Sequence, residues 1–65
     1  MKYKMYVVGN LYSEFEADDD REAKKKVRKL CLENEYLFDI STGVSLVGEE
    51  HCYKYKPMFN EWREI

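Results

Sequence analysis

Apolar and polar residues alternate through residues 2–8 and 11–17, two runs rich in β-branched and aromatic side chains. Gly9 and Asn10 between them tolerate the positive φ of a tight turn, so the pattern predicts a hairpin. The register that gathers the apolar side chains on one face sets Val8 opposite Tyr12, with Val7, Met5 and Tyr3 opposite Ser13, Phe15 and Ala17. Lys4 then meets Glu16 on the other face, across an odd-length loop centred on Asn10.

From Asp18 the period changes. Asp19 with Glu22 three residues on resembles a capping box, and short carboxylates suit the free amides and positive dipole end of a first helical turn. Ala23, Val27, Leu30 and Cys31 then fall at i, i+4, i+7 and i+8, one apolar stripe on an otherwise cationic helix. The helix is expected to end at Asn34, in a left-handed cap, or to run on to Tyr36. Residues 37–42 have no clear period, and Phe38 and Ile40 serve as apolar anchors on the return to the sheet.

Residues 44–47 and 51–56 alternate again around Gly48, Glu49 and Glu50, predicting a second hairpin in which Val47 faces Cys52, Leu46 faces Tyr53 and Val44 faces Tyr55. Pro57 ends that strand and suits an edge, where a missing N–H costs no ladder bond. In the tail, Met58, Trp62 and Ile65 at i, i+4 and i+7 predict a short C-terminal helical turn capped by Asn60, either docked on the core or free as an aromatic arm that binds a partner. The elements assemble into an α+β, two-layer ββαββ fold: a four-stranded antiparallel sheet of order 2-1-3-4 with one amphipathic helix on one face. Glu14 and Glu16 guard one sheet edge, and Lys54, Lys56 and Pro57 the other.

Size then bounds function. A 65-residue chain makes one domain, and a substrate cavity of roughly 300 Å3 would remove much of its core, which disfavours an enzyme. Six tyrosines, three phenylalanines and one tryptophan supply enough burial for folding. Two cysteines are too few for a disulfide framework, no long apolar run or signal peptide is evident, and a cytoplasmic protein is expected. The net charge of −2 gives no bulk attraction to nucleic acid or acidic membrane.

His51, Cys52 and Cys31 raise the question of zinc, but structural zinc wants four ligands, and adjacent strand residues point to opposite faces. The same geometry separates Cys52 from Cys31 and keeps His51 from acting as base for a thiol nucleophile. No catalytic residue, metal or cofactor is expected. The carboxylates Glu14, Glu16, Asp18, Asp19, Asp20 and Glu22 read as a helix cap and a solvated edge, or as an acidic binding surface. Lys24, Lys25, Arg28 and Lys29 on the helix are the candidates for phosphate contact, weighed against an ordinary solvated face.

The more informative surface is the sheet face left uncovered. Tyr6, Val8, Tyr12, Val47 and Cys52 point there among Lys4, Glu16 and Lys54, and Trp62 in the tail adds a further aromatic contact. An apolar, tyrosine-rich patch with a charged rim is how protein interfaces are built. A protein partner or a second copy of the chain is therefore expected, with a nucleic-acid accessory role through the basic helix as the alternative. Finally, the stretch Lys2–Leu30, above all F-E-A-D-D-D-R-E-A-K-K-K-V from Phe15 to Val27, resembles small phage- and plasmid-encoded proteins of the DpnD/PcfM-like group. The resemblance implies a mobile-element protein of uncertain function rather than an enzyme, and by analogy with phage proteins of this size one that binds and blocks host machinery such as CRISPR effectors or restriction enzymes.

Overall fold

A computed structural model of the chain describes residues 1–38 and 43–65. Eight elements follow one another: β1 (Lys2–Val7), β2 (Asn10–Glu16), α1 (Asp20–Glu33), α2 (Glu35–Phe38), β3 (Val44–Val47), β4 (Cys52–Lys56), a 3-10 turn (Pro57–Phe59) and β5 (Glu61–Glu64). The strands form one antiparallel sheet of order β2-β1-β3-β4-β5. The α+β class, the main helix and the first four positions of the strand order match the sequence pattern; the fifth strand does not.

The tail departs from expectation. Only Pro57–Phe59 are helical, as a single 3-10 turn, and Asn60 closes that turn in the left-handed conformation at φ 49° and ψ 44° instead of opening a helix. Asn tolerates this region better than most residues because its short amide bonds locally. The chain is thereby turned back along β4, pairing Lys56 with Glu61, Tyr55 with Trp62 and Lys54 with Arg63. Strand geometry wins because it stacks Trp62 flat on Tyr55 at 4.1 Å and sets it edge-on to Tyr53 at 6.2 Å. The other members of the helical spacing, Met58 and Ile65, stay exposed. β4 is consequently an inner strand, and β2 and β5 are the edges.

In the first hairpin the pairing slips by two residues from the expected one: Tyr3 faces Phe15, Lys4 faces Glu14 and Met5 faces Ser13. A slip of two preserves which face each side chain takes, so the apolar face survives. The cause is a two-residue turn, with Val8 at φ 51° and Gly9 at φ 79°, in place of a loop centred on Asn10. A register shift between Met5 and Tyr6, which leaves Tyr12 as the unpaired bulge residue, restores the alternation. Positive φ at both turn positions is the type I′ geometry that matches strand twist, and it favours Asn-Gly. A β-branched valine there is strained by about 1 kcal/mol or more. Val8→Asn is therefore expected to raise stability by about 1 kcal/mol, a gain of about 4–8 °C in Tm for a domain this small; an unchanged or lower Tm in a thermal melt followed by circular dichroism would contradict the turn assignment.

Asp19 caps α1 as its sequence predicts, its side chain accepting the Glu22 N–H at 2.9 Å. At the other end Asn34 is extended, at φ −130°, not left-handed. Its Oδ1 accepts the Tyr36 N–H at 3.1 Å, so it opens α2 as it ends α1. The anchoring expected of the Phe38 side chain and of Ile40 lies outside the described residues. The second hairpin pairs as predicted, Val44 with Tyr55, Leu46 with Tyr53 and Val47 with Cys52.

The core lies between α1 and one sheet face. Ala23, Val27 and Cys31 meet Tyr3, Met5, Val7, Val44, Leu46, Tyr53 and Tyr55, with Leu37 closing one end and Phe15, Leu30 and Trp62 packed around it. No helix among the described residues is long and apolar enough to cross a membrane.

Candidate functional site

Because side chains alternate along strands, burying Met5, Val7, Leu46, Tyr53 and Tyr55 under α1 turns their neighbours to the far face. Tyr6, Val47 and Cys52 are half-buried there, with Lys4 and Lys54 beside them. Val8, Leu11 and Tyr12 extend the apolar surface at the tip of the first hairpin, where each is about half exposed. Trp62 belongs to the opposite face: it is the partner of buried Tyr55, so it cannot share a surface with Tyr6.

Charge on this open face is lopsided. Lys4 has Glu14 at 3.8 Å, and Glu61 lies 3.8 Å from Arg63. Lys54 and Arg63 sit directly opposite each other across β4 and β5, like charges whose repulsion Glu61 relieves from the Arg63 side. Over β1 and β2 a depression of about 490 Å3 follows Lys2–Lys4 and Glu14–Glu16.

The basic residues of α1 are divided between two sides of the helix. Lys24, Lys25 and Arg28 join Arg21, Asn60 and Trp62 around a cleft of about 370 Å3 between α1 and β5. Lys29 lies apart, beside Lys26, Leu30, Glu33, Ser13 and Phe15 in a shallow groove over β2.

The arrangement that the sequence hid is centred on Asp20, in the first turn of α1. Its Oδ1 accepts the Tyr3 hydroxyl at 2.6 Å and its Oδ2 the Tyr53 hydroxyl at 2.7 Å. Nδ1 of His51 lies 3.0 Å from Oδ2 and donates to it, and Nε2 lies 4.0 Å from Glu64. The Tyr3 bond, then the Tyr53 bond, then His51 hold the Asp20 carboxyl below its ordinary range, overcoming the opposing effect of burial. Burial and Asp20 push the Tyr3 hydroxyl well up, and the bond to Asp20, then burial, push Tyr53 to about 12. A carboxylate so depressed is a weak base near neutrality, and phenols so raised are weak acids. The cluster ties the first turn of α1 to β1 and β4. Nothing in a local sequence window signals it, because the members are 17, 31 and 33 residues from Asp20.

Cys31 is buried, which pushes its thiol up to about 11, and Cys52 faces away from it on the open face; both are free. Among the described residues no three His, Cys, Asp or Glu side chains are grouped to hold a metal ion. No family model, no curated protein and no solved structure matches the chain.

Proposed function

We propose that this chain is a non-enzymatic, cytoplasmic protein-binding module whose open sheet face docks an acidic surface of another protein. The observation that carries the reading is that face itself. Tyr6, Val47 and Cys52 form an apolar centre that none of the described elements covers, and Lys54 and Arg63 stand side by side at its margin. An apolar anchor gives affinity through burial, and Lys54 beside the Arg63–Glu61 pair favours a carboxylate-bearing partner over a second copy. The protein's resemblance to mobile-element proteins in Phe15–Val27 makes host-defence effectors, CRISPR nucleases and restriction enzymes the partners to try first.

The test measures binding of the purified chain to a panel of such effectors by biolayer interferometry, beside sedimentation of the chain alone. Wild type is expected to bind, and Tyr6→Ser with Lys54→Glu and Arg63→Glu to weaken binding by about tenfold or more while leaving the circular-dichroism spectrum unchanged. Binding indifferent to all three substitutions, or concentration-dependent dimers that the same substitutions abolish, would remove the reading.

A further inference from the structure

The cleft between α1 and β5 lies on the other side of the sheet and is not used by that reading. Arg21, Lys24, Lys25 and Arg28 recur at i, i+3, i+4 and i+7 and so share one helix face. Four cations on one face repel each other, and among the described residues only Lys25 has a carboxylate in ion-pair range, Glu22 at 3.5 Å. The wall opposite the helix is aromatic. Trp62 is held flat against Tyr55 and edge-on by Tyr53, so its ring is a fixed platform and not a loose side chain. Lys24 rests at the base, its ammonium 4.0 Å from the Tyr53 centroid and 5.4 Å from that of Trp62. Asn60 spends its Oδ1 on the Tyr55 hydroxyl at 2.9 Å, which leaves the two amide protons to give.

We propose that this cleft binds one nucleotide unit, its base against Trp62 and its phosphate on Arg21, Lys25 and Arg28. The dimensions agree, since about 370 Å3 lies in the range of small-ligand sites. So does the chemistry: guanidinium groups bind phosphate through paired N–H donors, and any base offers a π face for stacking. The site supplies the interleaving of aromatic and cation that α1 lacks by itself, because the aromatic comes from a distant strand. The unit can be a free nucleotide or one residue of a single strand; both present the same two groups.

Trp62 is the chain's single tryptophan, so its fluorescence reports the stack directly. The intact chain is titrated with AMP, with an oligothymidylate of about ten residues and with inorganic phosphate, at about 50 mM salt, where phosphate contacts are strong. Saturable quenching by AMP and the oligomer alike supports the site with either source. Quenching by the oligomer alone assigns the source to a nucleic-acid strand, and by AMP alone to a free nucleotide. Arg21→Gln with Arg28→Gln, both on the helix surface, is expected to weaken quenching by about tenfold or more, whereas Lys4→Gln on the far face changes nothing. Trp62→Phe, followed by anisotropy of a labelled oligomer or nucleotide, is expected to retain binding within about threefold and Trp62→Ala to lose about tenfold. No saturable quenching, equal binding by inorganic phosphate, or indifference to the double arginine substitution would each overturn the proposal.

Discussion

Asp20→Ala is expected to cost the domain about 2–4 kcal/mol, because it orphans two tyrosine hydroxyls at once and each unsatisfied buried group costs about 1–3 kcal/mol. The rings of Tyr3 and Tyr53 are 1% and 8% exposed and fixed in the core, so their hydroxyls stay aimed at the part-buried position Asp20 leaves and can recover only the water that enters there. A domain of this size holds only about 3–10 kcal/mol in all, and the variant should sit near the edge of unfolding at 25 °C. Asp20→Asn keeps one acceptor oxygen and should lose about half as much. The cluster also sets the pH profile. The Asp20 carboxyl is depressed below 3.8 in the fold, so below that value the unfolded chain takes up the proton more readily. Its contribution is complete above about pH 5 and is lost as the pH falls through 3.8 and below. Tyr3 and Tyr53 act in the opposite sense: their folded values lie above 10.0, so their contribution is present below pH 10 and drains away as the pH rises further. Urea denaturation across pH would show wild type losing stability at both ends, with the acid limb flattened in Asp20→Asn. An acid limb unchanged by that substitution would mean that other carboxylates control it.

Gly43→Ala is expected to be comparably severe, at about 2–5 kcal/mol. Gly43 lies at φ +82°, where a side chain costs about 1–2 kcal/mol, and an added Cβ would stand 2.7 Å from the carbonyl oxygen of Tyr55. That oxygen belongs to an inner strand and cannot swing aside as a side-chain tip would, so relief requires β3 to move off β4, at a further cost of about 1–3 kcal/mol. Gly9→Ala is the matched control. Gly9 has φ +79° but nothing within 4 Å of the added carbon, so only the conformational part remains. Denaturant midpoints should separate the two variants by about 1–3 kcal/mol; equal losses would show that the close approach at Tyr55 relaxes without cost.

Legibility followed the range of the interactions. The start of α1 and the register of β3 with β4 were readable because a cap and an alternating strand are local: Asp19 reaches Glu22, and Val47 reaches Cys52 across a short turn. The slip in the first hairpin was not, because Gly9-Asn10 is a better turn dipeptide than Val8-Gly9 and nothing local shows that a bulge at Tyr12 repairs the facing. β5 was missed for a related reason. Three apolar residues fit a helical period by coincidence, while the force that selects a strand is the stacking of Trp62 on Tyr55 and Tyr53, neither of which is in the tail. The basic face of α1 was visible as cations, but its division, with Lys29 on one side and Arg21 joining Lys24, Lys25 and Arg28 on the other, depends on where β5 lies. Of the residues expected on the open face, Tyr6, Val47 and Cys52 are there, Val8 and Tyr12 lie at the hairpin tip, and Trp62, expected as a contact in a helical tail, sits on the helix side of β5.

β5 has one more consequence. Its pleat sends Trp62 towards the helix and Arg63, the next residue, through to the other side, so a single edge strand serves both surfaces of a sheet one residue thick. Occupants of the two sides would not collide, and a ternary complex is sterically open.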